Sequence, residues 1–150
     1  MNAPIFKTVL MVDDSAEDAA LMQAAFKDAK APGVLRNVTS ADDALNYLQG
    51  RKPFANQRLN PFPDLLLLDI QMPGEDGFSV LQWVRSRSEE WRRVPIVMLT
   101  TSHDYREIKR AYDLGANSFL VKPTGFHELS EMVASLLAYW LAHNKASVSR

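Results

Sequence analysis

The chain has 150 residues, enough for one domain with a full core, and its 17 basic and 18 acidic side chains leave a formal net charge of -1. That balance gives no electrostatic footprint for nucleic acid or an anionic membrane, and the absence of cysteine rules out disulfides, zinc–thiolate sites and thiol catalysis. No apolar run is long enough to span a bilayer, and Met1-Asn2-Ala3-Pro4 lacks the basic and apolar regions of a signal peptide, so a soluble cytoplasmic protein is expected.

The dominant pattern is alternation of apolar strands with amphipathic helices, which predicts a helix-covered parallel sheet. A first strand is expected at about Ile5 to Val12, followed by a helix from Ser15 to Lys30 with Ala19, Met22 and Phe26 on one face. Pro32-Gly33 ends that helix, because proline cannot continue it and glycine permits positive φ. A second strand spans Val34 to Val38. Thr39 or Ser40 caps the next helix, which turns Ala44, Leu45 and Leu48 inward and stops at Gly50. Arg51 to Pro63 is a polar loop broken by Pro53, Pro61 and Pro63, read as tolerated surface in preference to a partner-facing insertion.

Leu65 to Leu68 has no polar alternation, as a central strand buried on both faces requires. A helix at Ser79 to Ser88 presents Val80, Leu81 and Val84 inward, and Pro95 to Leu99 forms strand four, its proline tolerable only in first place. Asp104 to Leu114 is a helix ended by Gly115, Ser118 to Val121 is strand five, and the last helix runs from about Phe126 to Ala142. A single domain is expected, with its core at about 5–142 and a polar tail at 143–150.

In an open parallel sheet the carboxyl ends of the strands share one edge, where ligands bind. Asp13 and Asp14 follow strand one, Asp69 ends strand three, Thr100 follows strand four and Lys122 follows strand five. The bland account of the acid pair is that one of them caps helix one; Asp69, at the end of the most apolar strand, tips the balance. Three converging carboxylates repel one another and need a cation. Magnesium, with oxygen ligands at ~2.1 Å and a liking for one or two carboxylates, suits Asp13, Asp14, Asp69 and the Gln71 backbone carbonyl; Mn2+ can take its place. Asp69 is then a candidate nucleophile toward a phosphoryl group, with Lys122 and the Thr100 hydroxyl facing the charge on its oxygens. A cis Lys122-Pro123 bond would help to fix the lysine.

With these residues placed, the sequence resembles the receiver domain of bacterial two-component response regulators over almost its whole length, from Val9 to about Trp140. The resemblance rests on Val12-Asp13-Asp14, on Leu68-Asp69-Ile70-Gln71-Met72-Pro73-Gly74-Glu75-Asp76-Gly77, on Thr100-Thr101-Ser102, and on Phe119-Leu120-Val121-Lys122-Pro123. It implies a flavodoxin-like doubly wound (βα)5 three-layer sandwich with strand order 2-1-3-4-5, and phosphotransfer from a sensor histidine kinase onto Asp69. It implies that Thr100 and Phe119 act as a coupled switch that remodels the surface of the last two helices and strand five. Gln71 and Ser102 flank the site and are expected to tune dephosphorylation. By the same resemblance the protein catalyses only its own phosphoryl transfer and dephosphorylation, and is otherwise no enzyme.

A narrower likeness is to stand-alone regulators serving bacterial phytochrome kinases, carried by the long segment before strand three, Leu99-Thr100-Thr101-Ser102, Tyr112-Asp113-Leu114-Gly115-Ala116-Asn117, and Trp140 near the end of the final helix. No output domain follows in the sequence, so output is expected through protein binding or relay to a histidine phosphotransfer protein. Tyr139, Trp140 and Leu141 extend the apolar surface as a candidate homodimer patch, weighed evenly against local packing. A terminal adaptor without relay is the alternative within this fold. A nucleotide- or flavin-binding domain is disfavoured because the first turn carries acids instead of a glycine-rich loop. A magnesium-dependent aspartyl phosphatase is disfavoured because position 71 is Gln and no substrate cap is evident.

Overall fold

A computed structural model describes residues 7–30, 33–72 and 77–145. Ile5 and Phe6 of the first expected strand, Pro32, the turn at 73–76 and the tail beyond Lys145 lie outside the described residues.

Five parallel strands, β1 (Thr8–Val12), β2 (Val34–Val38), β3 (Leu65–Asp69), β4 (Ile96–Thr100) and β5 (Ser118–Val121), form one sheet of order β2-β1-β3-β4-β5. Side chains alternate across it, so each central strand serves two cores. Val9, Met11, Leu65, Leu67, Val97 and Leu99 pack under helices α1 (Ala16–Ala29) and α6 (Phe126–Leu137). Leu10, Val12, Leu66, Leu68, Ile96 and Met98 pack under α2 (Ala41–Gln49) and α3 (Gly77–Arg85). The same face carries a short α4 (Glu89–Arg92), which sequence periodicity had not indicated, and α5 (Tyr105–Asp113). The three-layer sandwich is the expected one.

Local chemistry explains most boundaries. The Ser15 hydroxyl accepts from the Asp18 amide at 3.1 Å and caps α1; Ser40, in preference to Thr39, caps α2 through the Asp43 amide at 3.0 Å. Helix α1 ends differently from expectation: Lys30, and not Gly33, takes the left-handed conformation, φ 54°, and donates to the Lys27 carbonyl. Within α2 the inward set is Ala44, Tyr47 and Leu48, with Leu45 only half-buried.

Tyr47 matters to the loop at 51–63. Its hydroxyl donates to the Pro61 carbonyl at 2.9 Å and its ring meets Phe54 at 5.3 Å. Phe62 packs on Trp91, which meets Trp83 edge-on at 5.1 Å. Aromatic contacts thus tie the loop's two ends to α2 and to the α3–α4 region, while most of its middle stays exposed.

Beyond Leu137 the final helix widens into a π-helical turn, Ala138–His143, in place of the expected continuous α-helix. Leu141 is buried in the same apolar cluster as Val133 and Leu137. The Lys122–Pro123 peptide is trans; the cis peptide among the described residues is Lys52–Pro53.

Candidate functional site

Strand register assembles the site. Val12 pairs with Leu68, which sets Asp13 beside Asp69; Asp69 pairs with Leu99, and Thr100 with Val121, so Thr100 and Lys122 follow in the same row. The Lys122 amide closes this corner by donating to the Thr100 carbonyl at 2.7 Å. Four strand ends therefore deliver two carboxylates, a hydroxyl and an ammonium to one sheet edge.

Carboxylate oxygens of Asp13, Asp14 and Asp69 lie within 4.8 Å of one another. Asp13 and Asp69 are buried, whereas Asp14 is exposed. Neither Asp13 nor Asp14 caps α1, since Ser15 does; Asp13 Oδ1 instead accepts from the Ser15 amide at 2.9 Å. Asp69 Oδ1 accepts from the Gln71 amide at 3.1 Å, a tight turn that leaves Oδ2 for the lysine.

Lys122 is only 12% exposed, and its Nζ lies 2.9 Å from Asp13 Oδ2, 3.2 Å from Asp18 Oδ2 and 3.6 Å from Asp69 Oδ2. The first two are hydrogen bonds; the third is an ion pair without one. Burial pulls the Lys122 ammonium toward deprotonation, but the hydrogen bond it donates to Asp13 and the charges of Asp69, Asp13 and Asp18 outweigh it and raise its pKa. The Asp69 pKa is raised as well, which for an acid disfavours the charged form: desolvation pushes its carboxyl up to about 6, opposed by Lys122 and the Gln71 amide and reinforced by Asp13. One lysine is too little positive charge for this cluster. An oxygen-rich group of acids in that condition fits a divalent cation of the Mg2+ or Mn2+ kind.

Thr100 is buried, and its hydroxyl accepts from the Ser102 amide at 3.2 Å. Phe119 is half-buried beside Met98, on the sheet face that carries α5. Gly77 opens α3 directly behind Asp69: an added Cβ would overlap the Asp69 carbonyl, so only glycine lets the helix start this close. A shallow cleft of about 420 Å3, lined in part by Gln71, Phe78, Arg106 and Arg110, opens between the β3–α3 loop and α5.

The family model described as "Response regulator receiver domain" matches residues 9–134. The chain is a response regulator receiver domain. The probable methanogenesis regulatory protein FilR2 of Methanothrix harundinacea is 33% identical over 92% of this receiver and 86% of its own length. Response regulator Rcp1 of Synechocystis is 32% identical over 90% and 89%, and its solved Mn(2+)-bound form superposes with a TM-score of 0.82, at 30% identity, over 95% and 99%. The phosphorylated cyanobacterial phytochrome response regulator RcpA gives a TM-score of 0.86, at 29% identity, over 96% of this chain and all of that one. As a receiver domain the protein has a signalling role and works with sensor histidine kinases; its catalysis is limited to its own phosphorylation and dephosphorylation.

The acids, Gln71, Thr100, Ser102 and Lys122 expected at the site from the sequence lie at this sheet edge, whereas Phe119 sits within β5, two register positions inside the row of Thr100 and Val121. Two contributors were missed. Asp18 had one available signal, an acid in the first turn of α1 following two strand-end acids. Gly77 had none, because the clash that demands glycine is with the Asp69 backbone across a turn.

Proposed function

We propose that this receiver accepts a phosphoryl group on Asp69 Oδ2 from the phosphohistidine of a sensor histidine kinase. The observation that carries this reading is the Lys122 ammonium lodged between Asp13 and Asp69, at 2.9 and 3.6 Å, beside the three-carboxylate cluster. Asp13, Asp14, Asp69 and the Gln71 carbonyl would hold Mg2+, with Mn2+ as a substitute. When bound, the cation neutralises carboxylate charge and offsets the negative charge that builds on the transferring group.

The chain's own residues do the rest. Asp69 attacks through Oδ2 while the Gln71 amide holds its Oδ1, and as the new P–O bond forms the P–N bond of the phosphohistidine breaks and the imidazole leaves. Lys122 turns from the Asp69 oxygen to a phosphoryl oxygen, and the Thr100 hydroxyl donates to another after leaving Ser102. Phe119 fills the space that Thr100 vacates, and α5, β5 and α6 form the altered output surface. Gln71 is exposed and Ser102 half-buried next to Thr100, positions suited to controlling the approach of hydrolytic water.

The input we propose is a bacteriophytochrome kinase, supported by the likeness to RcpA. Output by altered protein binding, with onward relay to a histidine phosphotransfer protein, is preferred to a terminal adaptor; a groove of about 450 Å3 along β5 and α6, lined by Leu120, Met132, Leu136, Tyr139 and Trp140, supports homodimerisation there. The single-domain organisation and a cytoplasmic location belong to the same proposal.

Incubation with labelled phosphodonor and Mg2+ tests the core of this. Label should appear on wild type, vanish in Asp69→Asn and fail to form in chelator. Label that survives alkali and hydroxylamine, or label retained by Asp69→Asn, would overturn it. A bacteriophytochrome kinase should transfer phosphoryl at rates that differ between red and far-red light, and equal transfer from an unrelated kinase would remove the phytochrome assignment. Dimer mass by light scattering, lost in a Tyr139→Glu/Trp140→Glu variant, checks the groove.

A further inference from the structure

Lys122 has three N–H donors and no acceptor, and among the described residues three carboxylates stand around it. Two of them are spoken for by the proposed chemistry: Asp13 belongs to the cation cluster and Asp69 is the reacting group. Asp18 belongs to neither; it stands outside the oxygen cluster formed by Asp13, Asp14 and Asp69. Its side chain is 40% exposed, yet it reaches 3.2 Å from a lysine 104 residues away in sequence.

Asp18 is also held in register with the site. Asp13 Oδ1 accepts from the Ser15 amide at 2.9 Å, Ser15 Oγ accepts from the Asp18 amide at 3.1 Å, and Asp18 Oδ2 accepts from Lys122 Nζ. Lys122 then returns to Asp13 Oδ2 at 2.9 Å. The four residues close a ring, so the first turn of α1 cannot shift without moving the ammonium. The capping bond uses the Asp18 backbone amide alone, so its carboxylate takes no part in the cap; the charge it adds to the first turn it shares with Glu17.

We propose that Asp18 is a positioning residue for the Asp69 reaction, acting through Lys122: it is the anchor that retains the ammonium when Asp13 and Asp69 turn to other partners. Both oxygens of Asp13 are committed here, one to Ser15 and one to Lys122. A cation binding at Asp13 has to compete with the lysine for Oδ2. A second carboxylate that accepts the displaced ammonium lowers the cost of that exchange and keeps Nζ within reach of the phosphoryl group. Without Asp18 the lysine falls back on Asp13, and both cation binding and phosphoryl stabilisation weaken. The inference rests on the proposed Asp69 chemistry but extends it to a residue outside the acid pocket.

The test compares Asp18→Asn with Glu17→Gln, which removes the same charge from an exposed neighbour in the same helical turn. Mn2+ binding to the unphosphorylated protein, read by the free-ion electron paramagnetic signal, should weaken ~10-fold in Asp18→Asn, the size seen when partners of metal ligands are removed. Glu17→Gln should change it less than about two-fold, as an exposed charge screened by solvent does. Asp18→Glu, which keeps the charge, should recover most of the affinity. Under saturating cation, phosphorylation by a small-molecule donor should remain slow in Asp18→Asn, because Lys122 is then poorly placed.

Equal Mn2+ affinity in Asp18→Asn and Glu17→Gln would overturn the inference, as would an Asp18→Glu variant no better than Asp18→Asn. Failure of the underlying reading looks different. In that case wild type itself would carry no label at Asp69, whatever the Asp18 variants do.

Discussion

Replacing Asp69 with asparagine should stabilise the cation-free protein at neutral pH. The carboxyl of Asp69 is pushed from its ordinary 3.8 to about 6, first by desolvation and then by Asp13, against the pull of Lys122 and the Gln71 amide. At about 1.4 kcal/mol per pH unit, the ionised form is disfavoured in the folded state by about 3 kcal/mol. Asparagine copies the shape of the neutral acid without the charge. It also leaves Lys122 one partner short, so the net gain should be about 1–3 kcal/mol, or several degrees in Tm for a domain of this size. The sign follows from proton counting. Because the folded carboxyl holds its proton to higher pH than the unfolded one, the wild type has its full share of this stability below pH 3.8 and loses it as pH rises through about 6. Urea unfolding in chelator, followed by the fluorescence of Trp83, Trp91 and Trp140, gives the difference at each pH. It should be near zero around pH 4, grow between pH 4 and 6, and level off by about pH 7. Saturating Mg2+ should shrink it, because the cation binds the folded wild type better than the variant. A variant no more stable than wild type at pH 7.5, or a gap that ignores pH, would refute the electrostatic account of this site.

Other outcomes follow from particular contacts. Gly77→Ala should cost about 1–3 kcal/mol by forcing a methyl against the Asp69 carbonyl, and should slow phosphorylation with it, both checked on the same preparation. Arg85→Met should cost about 2–4 kcal/mol in urea unfolding, since the guanidinium donates to the Gly115, Trp91, Arg92 and Val94 carbonyls and to Asn117 Oδ1. These contacts lie at the far edge of the sheet, so the phosphorylation rate of the folded Arg85→Met fraction should stay within about two-fold of wild type. Amide exchange in α5 should be faster than in α3, because α5 buries only Ala111 while α3 buries Phe78, Val80, Leu81 and Val84.

The site was legible because each of its parts ends an unusually plain strand. Leu65 to Leu68 has no polar residue to blur its period, and parallel pairing then fixes which residues come next to one another. What escaped detection depends on tertiary or sub-turn geometry. The Asp18–Lys122 bond joins residues 104 apart, and no local pattern encodes it. Lys30 takes a left-handed conformation that glycine favours, so the helix ends three residues before the glycine that composition points to. The π-turn at Ala138–His143 keeps the composition of an α-helix and changes only its winding, which a 3.6-residue period cannot reveal. Tyr47 was passed over for Leu45 because its partner, the Pro61 carbonyl, lies across a loop with no periodicity of its own.

The charge imbalance at the sheet edge and the thin packing of α5 are linked by a short ladder of bonds. The Thr100 hydroxyl accepts from the Ser102 amide, the Ser102 hydroxyl accepts from the Asp104 amide, and the Asp104 carboxylate caps α5 through the Arg106 amide. A rotation of Thr100 toward a phosphoryl group, which the proposed mechanism requires, breaks the first rung. Each remaining rung is a local bond on a half-buried or exposed residue, worth about 1 kcal/mol and easily remade with water. The helix at the end of the ladder holds one fully buried side chain, so it resists displacement less than any neighbour on that face with a full apolar stripe. The same cannot be said of α1. It buries Met22, Ala25 and Phe26, and Asp18 ties its first turn to Lys122. In the proposed mechanism a charge arriving at Asp69 therefore meets a firmly packed wall at α1 and a thinly packed one at α5, and the response is directed toward α5.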